Sequence, residues 1–274
     1  MSSNPVHCYA DDSTLHNAPA SHKNRADIAS LINLDLCKLK NWGSQNLVNF
    51  NAGKTQCCLI SRRVDRNLPN ISFDSNSLEF RDKISMLGVT LGSDLSWNDH
   101  ISTIAKAAAR KLGLDAVILP VNFLYCISPC LEYGSHLWRG SSKHSLATLD
   151  AIQKRAIKLI GDPALTNSLD SLAHRRTVSA LSLYYRYYHG VCSVELKSII
   201  PPNALFTRNT RFSNAQHPFA VKLDKSRTSA FANSFIPMIS RDWNSLPATI
   251  FPATYNLQLF KTRIHRYLRP PPNP

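Results

Sequence analysis

The hydrophobic pattern of this chain changes its period at about residue 98, and this change limits the folds that the chain can adopt. Before it, short apolar segments alternate with turn residues, which is typical of strands joined by tight turns. One longer segment there has apolar residues at helical steps, namely Ile28, Ile32, Leu36 and Leu39. After it, most apolar residues follow the helical period of 3.6. The sequence therefore predicts an α+β protein in which a mixed region precedes a mainly helical one.

The same pattern predicts individual elements. In the mixed region we expect a hairpin around Ala10-Asp11-Asp12, a helix that ends at Trp42-Gly43, strands at residues 47–50 and 55–61, and a second hairpin formed by residues 71–73 and 84–91. In the helical region we expect helices over residues 101–114, 146–160, 172–188 and 256–268, with a long loop at residues 203–214.

The charge of the chain is concentrated in its second half. The 274 residues carry a net charge of +14, of which residues 1–150 contribute +2 and residues 151–274 contribute +12. Such asymmetry favours an interaction surface in the basic half over a uniformly charged coat. The partners that fit it are polyanions, either nucleic acid or an anionic membrane surface.

Cysteine spacing and hydropathy exclude several classes of protein. The seven Cys residues show no zinc-finger spacing, so we expect reduced, buried thiols. Residues 1–5 lack the basic and apolar segments of a secretory signal. The longest apolar stretch, residues 116–131, is interrupted by Pro120, Asn122 and Pro129 and is too short to span a bilayer. We therefore expect a soluble intracellular chain without a membrane partner.

One short motif can carry chemistry. Tyr9-Ala10-Asp11-Asp12 places two adjacent carboxylates at a predicted hairpin turn. Carboxylate oxygens bind hard divalent cations, and two such cations can activate a hydroxyl and stabilise a leaving pyrophosphate. Taken alone the motif is weak, because Asp pairs are common in solvated turns.

The residues around and after this motif resemble the reverse transcriptases of non-LTR, LINE-type retrotransposons, with the jockey-like group the most similar. The hairpin is similar to their motif C. Their motif D region is similar to Leu39-x2-Trp42 followed by Asn51-x2-Lys54-Thr55. Their primer-grip segment is similar to Leu87-Gly88-Val89-Thr90-Leu91 with Leu95-Ser96-Trp97 and His100-Ile101. Their later helical region is similar to five further segments of this chain, namely Leu131-Glu132-Tyr133-Gly134-Ser135-x2-Trp138, Leu149-x3-Gln153-x-Arg155-Ala156, Leu159-Ile160, His174-Arg175-Arg176 and Trp243-Asn244-Ser245-Leu246-Pro247.

The resemblance implies RNA-directed DNA synthesis from an RNA template and a DNA primer, with Mg²⁺ as the cofactor. Asp11 and Asp12 would be the catalytic, metal-binding carboxylates, Tyr9 would lie beside the nucleotide and primer end, and Lys54 would lie near the triphosphate. Residues 1–98 would form part of the palm, residues 99–200 the thumb, and residues 201–274 a basic C-terminal region. The family works as a ribonucleoprotein in the cytoplasm and nucleus.

The chain departs from the family pattern in one respect. The family's polymerases need a further metal-binding Asp and the fingers, both upstream of motif C, whereas motif C begins here at residue 9. We therefore expect a truncated element copy or an incomplete gene product that binds metal poorly and has negligible polymerase activity alone. Activity would require the missing N-terminal part of the polymerase, either joined to this chain or as a separate partner. The alternatives are a catalytically dead remnant that binds nucleic acid, and a protein-interaction or vestigial chain that is not stably folded.

Basic residues on the predicted helices are the candidate nucleic-acid contacts. They are Lys106, Arg110, Lys111, Lys154, Arg155, Lys158, Arg175 and Arg176. The aromatic residues Tyr184, Tyr185, Tyr187, Tyr188 and Trp243 could stack on bases, but a run of this kind on a helix more often forms core. For His16, His100, His136 and His189 we expect structural roles, since none has a partner at ligand spacing.

Overall fold

The computed structural model describes residues 4–17, 25–61, 68–114, 127–167, 169–204 and 217–269, and the account below concerns those residues. The chain forms two compact units, Met1–Ser96 and Trp97–Pro274. The architecture is α+β, as the sequence predicted, because small antiparallel hairpins in the first unit are followed by a helical second unit. The predicted loop at residues 203–214 and much of the apolar stretch 116–131 lie outside the described residues.

Within its described residues, the first unit contains three separate two-stranded antiparallel hairpins and one long helix. The hairpins are β1 (Val6–Tyr9) with β2 (Asp12–Leu15), β3 (Ser72–Phe73) with β4 (Asn76–Ser77), and β5 (Lys83–Met86) with β6 (Val89–Gly92). The helix α1 spans Arg25–Gln45 and contacts β3. It therefore continues two residues past the predicted end at Gly43.

Two strand predictions for the first unit were wrong. Residues 47–50 and 55–61 form no ladder. A 3₁₀ turn, Ala52–Lys54, lies between them, and the second segment makes only an isolated bridge, from Cys57 to Phe80. The segment 84–91 does not pair with residues 71–73 but folds on itself, because Leu87 and Gly88 both adopt positive φ and close a hairpin there. Two left-handed residues match the twist of a tight two-residue turn.

An interior polar contact fixes α1 to the start of the chain. The Asp35 side chain is fully buried, and its Oδ2 accepts hydrogen bonds from the backbone and side-chain nitrogens of Asn4 at 2.8 Å. Its Oδ1 accepts from Lys38 at 2.9 Å. A buried carboxylate must be paired in this way to offset its lost hydration.

The second unit is built from helices. They are α2 (Asn98–Leu114), α3 (Ser128–Glu132), α4 (Ser135–Trp138), α5 (Lys143–Ile160), α6 (Pro163–Thr166), α7 (Leu172–Tyr188), α8 (Val194–Ser198), α9 (Ser229–Ala232), α10 (Phe235–Asn244) and α11 (Leu257–Leu268). The four predicted helices correspond to α2, α5, α7 and α11, each within three residues at its start. Ser142, Ser171 and Asn256 cap three of them, each accepting a hydrogen bond from a backbone N–H in the first turn.

Two hydrophobic clusters hold the second unit together, and α7 contributes to both. The first lies among α2, α3, α4 and α5, with Leu131, Trp138 and Leu149 fully buried. The second packs α7 against α10 and α11 around the fully buried Tyr184 and Trp243. The prediction that the aromatic run forms core is thereby confirmed for Tyr184, Tyr185 and Trp243, while Tyr187 and Tyr188 are half-buried.

Candidate nucleic-acid interface and metal-ligating residues

The Tyr9–Asp12 segment forms the tight turn of the first hairpin. Tyr9 pairs with Asp12 across β1 and β2, so Ala10 and Asp11 are the two turn residues. Ala10 adopts a φ of +52°, a left-handed conformation that suits tight hairpin turns and costs a non-glycine residue about 1 kcal/mol. The side chains of Tyr9, Asp11 and Asp12 are all exposed.

Asp11 and Asp12 supply only part of a metal site. Both carboxylates are exposed, and among the described residues no third carboxylate, His or Cys lies within ligand distance of them. A two-metal centre for phosphoryl transfer needs more oxygen ligands than two carboxylates provide. The described residues therefore do not fit a complete Mg²⁺ centre at this hairpin.

Lys54 ends the short 3₁₀ turn of the first unit. The side chain of Asn51 caps this turn by accepting a hydrogen bond from the Lys54 backbone N–H at 3.2 Å. The Lys54 side chain is exposed. Its place near a triphosphate, which the family resemblance implied, stays a prediction.

The candidate cations of α2 and α5 lie on the solvent side of their helices. Both helices direct apolar residues into the first cluster and pack against each other. On each helix two cations four residues apart lie opposite the buried stripe, Lys106 with Arg110 on α2 and Lys154 with Lys158 on α5. All four side chains are exposed. None has an ion-pair partner among the described residues.

Arg155 and Lys111, the other two candidates on these helices, differ in their contacts. Arg155 is exposed beside the α5 pair and, within the described residues, also makes no ion pair. Lys111 is exposed near the end of α2, but its ammonium group lies 3.2 Å from the sulfur of Cys130. Five of the candidate cations on these two packed helices therefore have no charged or hydrogen-bonding partner among the described residues.

Arg175 and Arg176 have structural partners instead. Arg176 is only 3% exposed; its guanidinium pairs with Asp150 at 3.2 Å and lies 5.9 Å from the centre of the Trp138 ring. Burial lowers the pKa of Arg176, against the opposing charge of Asp150. Arg175 is half-buried and pairs with Glu132 at 3.1 Å. These contacts hold α7 against α3 and α5, and they leave Arg176 no surface with which to reach a phosphate.

Three residues for which the sequence predicted no ligand role converge at the start of α7. Asp170 lies just before the helix, His174 lies in its first turn, and His265 lies near the end of α11. One ligand atom of each lies within 4.8 Å of the other two. The sequence signal was the Asp170-x3-His174 spacing at a helix start, but His265 is 95 residues away from Asp170 and only the packing of α11 on α7 brings it in.

Hydrogen bonds and charge set the protonation of this cluster. Burial raises the pKa of Asp170, but hydrogen bonds from Arg269 and His265, with the positive charge of both histidines, hold it below its usual value. Burial lowers the pKa of His174, and the charges of His265 and Arg269 lower it further, while the charge of Asp170 and the nearby backbone of Leu268 act in the opposite direction. At neutral pH the cluster therefore offers an ionised carboxylate and a neutral imidazole.

The cysteines do not form the buried set that the sequence predicted. Cys8 and Cys37 are exposed, and Cys57, Cys58, Cys130 and Cys192 are half-buried, so the prediction of burial was wrong for these six; Cys126 lies outside the described residues. None of the six forms a disulfide within the described part of the chain. Burial raises the pKa of Cys57, and its neighbour Cys58 raises it further, which keeps the thiol protonated at neutral pH.

Within the described residues, each helix is too short or too polar to cross a lipid bilayer. No family model, curated protein or solved structure matches the chain.

Proposed function

We propose that this chain is part of an RNA-directed DNA polymerase of the non-LTR retrotransposon type and that its helical unit binds the template–primer duplex. The observation that carries the proposal is the set of five exposed cations on α2 and α5, which no described carboxylate neutralises. Exposed, uncompensated cations bind phosphates and release counterions, which is a large source of affinity for nucleic acid.

The distribution of charge between the two units supports this assignment. Residues 97–274 contain 22 Lys and Arg against nine Asp and Glu, a net charge of +13, whereas residues 1–96 are nearly balanced at +1. Among the described residues of the helical unit, ion pairs engage other arginines, such as Arg139, Arg175 and Arg176, and leave the five candidate cations of α2 and α5 unpaired. The field of the unit is therefore available to a polyanion.

Asp11 and Asp12 would serve the same reaction from the first unit. In the full polymerase they would hold Mg²⁺ together with carboxylates from another segment, and Mg²⁺ would stabilise the leaving pyrophosphate. Such a chain would act within a ribonucleoprotein that passes from the cytoplasm to the nucleus. RNA template and DNA primer would be its partners.

Binding of the purified chain to a labelled RNA–DNA primer–template across a salt series tests the proposal. We expect the logarithm of the affinity to fall linearly with the logarithm of salt concentration. Replacing Lys154 and Lys158 by Gln should reduce that slope by about 2, because each phosphate contact contributes about 0.9. The matched control replaces Lys261 and Arg266, two exposed cations of α11, by Gln and removes the same charge.

The control decides whether the surface or only the net charge matters. We expect the control variant to change the slope by less than half as much as the α5 variant. Equal effects of the two variants would refute a binding surface on α5, and absence of binding at low salt would refute the proposal as a whole.

A catalytically dead binding remnant is the second candidate, and the incomplete ligand set at Asp11 and Asp12 favours it for the isolated chain. We expect no Mg²⁺-dependent primer extension by the purified chain. Replacing both aspartates by Asn should leave duplex binding unchanged. Extension by the unmodified chain that the double Asn variant loses would contradict the remnant hypothesis and support a working polymerase.

A further inference from the structure

The side chains of Asp170, His174 and His265 form a three-donor cluster where α7 and α11 meet. Nε2 of His265 lies 2.6 Å from Oδ2 of Asp170. The rings of His174 and His265 stand nearly perpendicular, at 88°, with centres 4.7 Å apart. All three side chains are half-buried, so the cluster is shielded by the helices but open to solvent on one side.

One atom of the cluster points to a ligand. Nε2 of His174 is buried and has no hydrogen-bond partner within the described residues. A buried ring nitrogen without a partner is unfavourable, because it has lost its hydration without gaining a bond. A cation bound between His174 and the other two donors would supply that bond.

We propose that Asp170, His174 and His265 form a binding site for a first-row transition-metal ion, with Zn²⁺ the ion that the donor set suits best. Two imidazoles and one carboxylate are borderline donors that Zn²⁺ accepts in three-ligand sites, where water takes the fourth position. Mg²⁺ and Ca²⁺ prefer sites made only of oxygen, so the cluster is chemically distinct from the carboxylates of Asp11 and Asp12.

Binding requires a small rearrangement and the movement of one proton. The proton on Nε2 of His265, which lies between His265 and Asp170, must move to Nδ1 of the same ring or to solvent, since each imidazole coordinates through a free lone pair. With bonds of about 2.0–2.2 Å, donors of a tetrahedral zinc site lie roughly 3.4 Å apart. The 2.6 Å pair must therefore separate slightly, while the donors up to 4.8 Å apart must approach. Both shifts require only side-chain rotation at half-buried positions.

Neighbouring residues hold the carboxylate in place for this role. Nε of Arg269 donates to Oδ1 of Asp170 at 3.1 Å, which leaves Oδ2 for the metal. The backbone carbonyl of Asp170 accepts from Gln153 at 3.0 Å, so α5 fixes the segment that precedes α7. A bound ion would tie α11 to α7 and stabilise the second hydrophobic cluster.

Titration of the EDTA-treated chain with ZnCl₂, followed by calorimetry and by thermal unfolding, tests the site. We expect one Zn²⁺ per chain at this cluster and a higher unfolding temperature in its presence. Asp170→Asn, His174→Gln and His265→Gln should each weaken binding by at least about ten-fold. Arg269→Ala should retain the stoichiometry and weaken binding less than these three variants, because Arg269 orients Asp170 but supplies no ligand atom.

Two controls separate this cluster from other donors. His7 and His16 form an exposed stacked pair with Nε2 atoms 3.0 Å apart, and the variant with Gln at both should bind zinc as the unmodified chain does. Substitution of Co²⁺ should show no sulfur-to-metal charge-transfer band, which excludes Cys57 and Cys58. Unchanged binding in His174→Gln, loss of binding in the His7 and His16 variant, or a larger loss in Arg269→Ala than in the three ligand variants would each overturn the proposal.

Discussion

The guanidinium group of Arg176 donates to the carboxylate of Asp150 at 3.2 Å from inside the helical unit, where its side chain is 3% exposed. The two ends of the pair differ, because the Asp150 side chain is 39% exposed. Removing the carboxylate would leave a buried charge without its nearest partner, whereas removing the guanidinium would leave a carboxylate that water can reach.

We therefore expect Asp150→Asn to destabilise the chain more than Arg176→Met. Partial exposure of Asp150 reduces the penalty for breaking a buried pair, and we expect a loss of about 1–3 kcal/mol for Asp150→Asn. Methionine fills part of the volume of Arg176 and carries no charge, so its cost should be smaller. Urea unfolding of both variants measures the difference, and a larger loss in Arg176→Met would contradict this account.

Gly140 leaves no space for a side chain. A Cβ atom at this position would lie 1.8 Å from the backbone oxygen of Asn233, at the contact between the end of α4 and α9. We expect Gly140→Ala to cost about 1–3 kcal/mol of stability, since the backbone must shift to admit the methyl group. Thermal unfolding measures this loss.

Gly113 is the matched control for that substitution. It lies in α2, and among the described residues no atom outside the adjacent helix backbone lies within 4 Å of the Cβ that alanine would add. Gly113→Ala should leave stability unchanged or raise it by up to about 1 kcal/mol, because alanine has the higher helix propensity. Equal destabilisation by both substitutions would show that steric overlap is not the cause.

The environment of His217 makes the stability of the folded chain depend on pH. Its Nε2 lies 2.9 Å from the carbonyl oxygen of Trp243, and its Nδ1 accepts from the backbone N–H of Phe219, which together define a neutral ring. Burial lowers the pKa of His217, although the Trp243 carbonyl acts in the opposite direction. Protonation of Nδ1 would replace an accepted hydrogen bond with two opposed N–H groups.

Stability should therefore fall in mild acid. Because the pKa of His217 is lower in the folded chain, the unfolded chain binds more protons below pH about 6.5. This contribution is complete above that pH and is lost as the pH falls towards the folded pKa. His100, His136, His174 and His189 also have lowered pKa values and add to the effect.

Urea midpoints at pH 7.5 and 5.5 check this prediction. We expect a lower midpoint at pH 5.5 and a smaller difference between the two values in His217→Gln. His144→Gln changes an exposed residue of α5 and should keep the full difference. A midpoint that rises on acidification would reverse the predicted sign.

The helices of the second unit could be predicted closely because each carries its own amphipathic period and capping residue. The range predicted as 172–188 matches α7, which begins after Ser171, and the terminal helix begins one residue after Asn256. Helix α10, Phe235–Asn244, was not predicted. Pro237 lies in its first turn, where proline is tolerated, but in a sequence the same residue is also typical of a loop.

Strand pairing could not be predicted in the same way. The segment 84–91 has a continuous strand pattern, and only the positive φ angles at Leu87 and Gly88 divide it into two strands. Apolar periodicity does not contain that information, because a hairpin and a single strand expose the same alternation on each side of the turn. Residues 55–61 show the opposite case, because they have the pattern of a strand but form only an isolated bridge.

The sequence alone determined the positions of the cations on α2 and α5, because their spacing relative to the apolar stripe places them on the solvent side of any packed helix. It also determined the adjacent carboxylates of the first turn. Only the tertiary structure showed that Arg176 is internal and that His265 reaches Asp170. The reason is physical: helical spacing determines which side of a helix a residue occupies, whereas burial and ion pairing depend on which helix packs there.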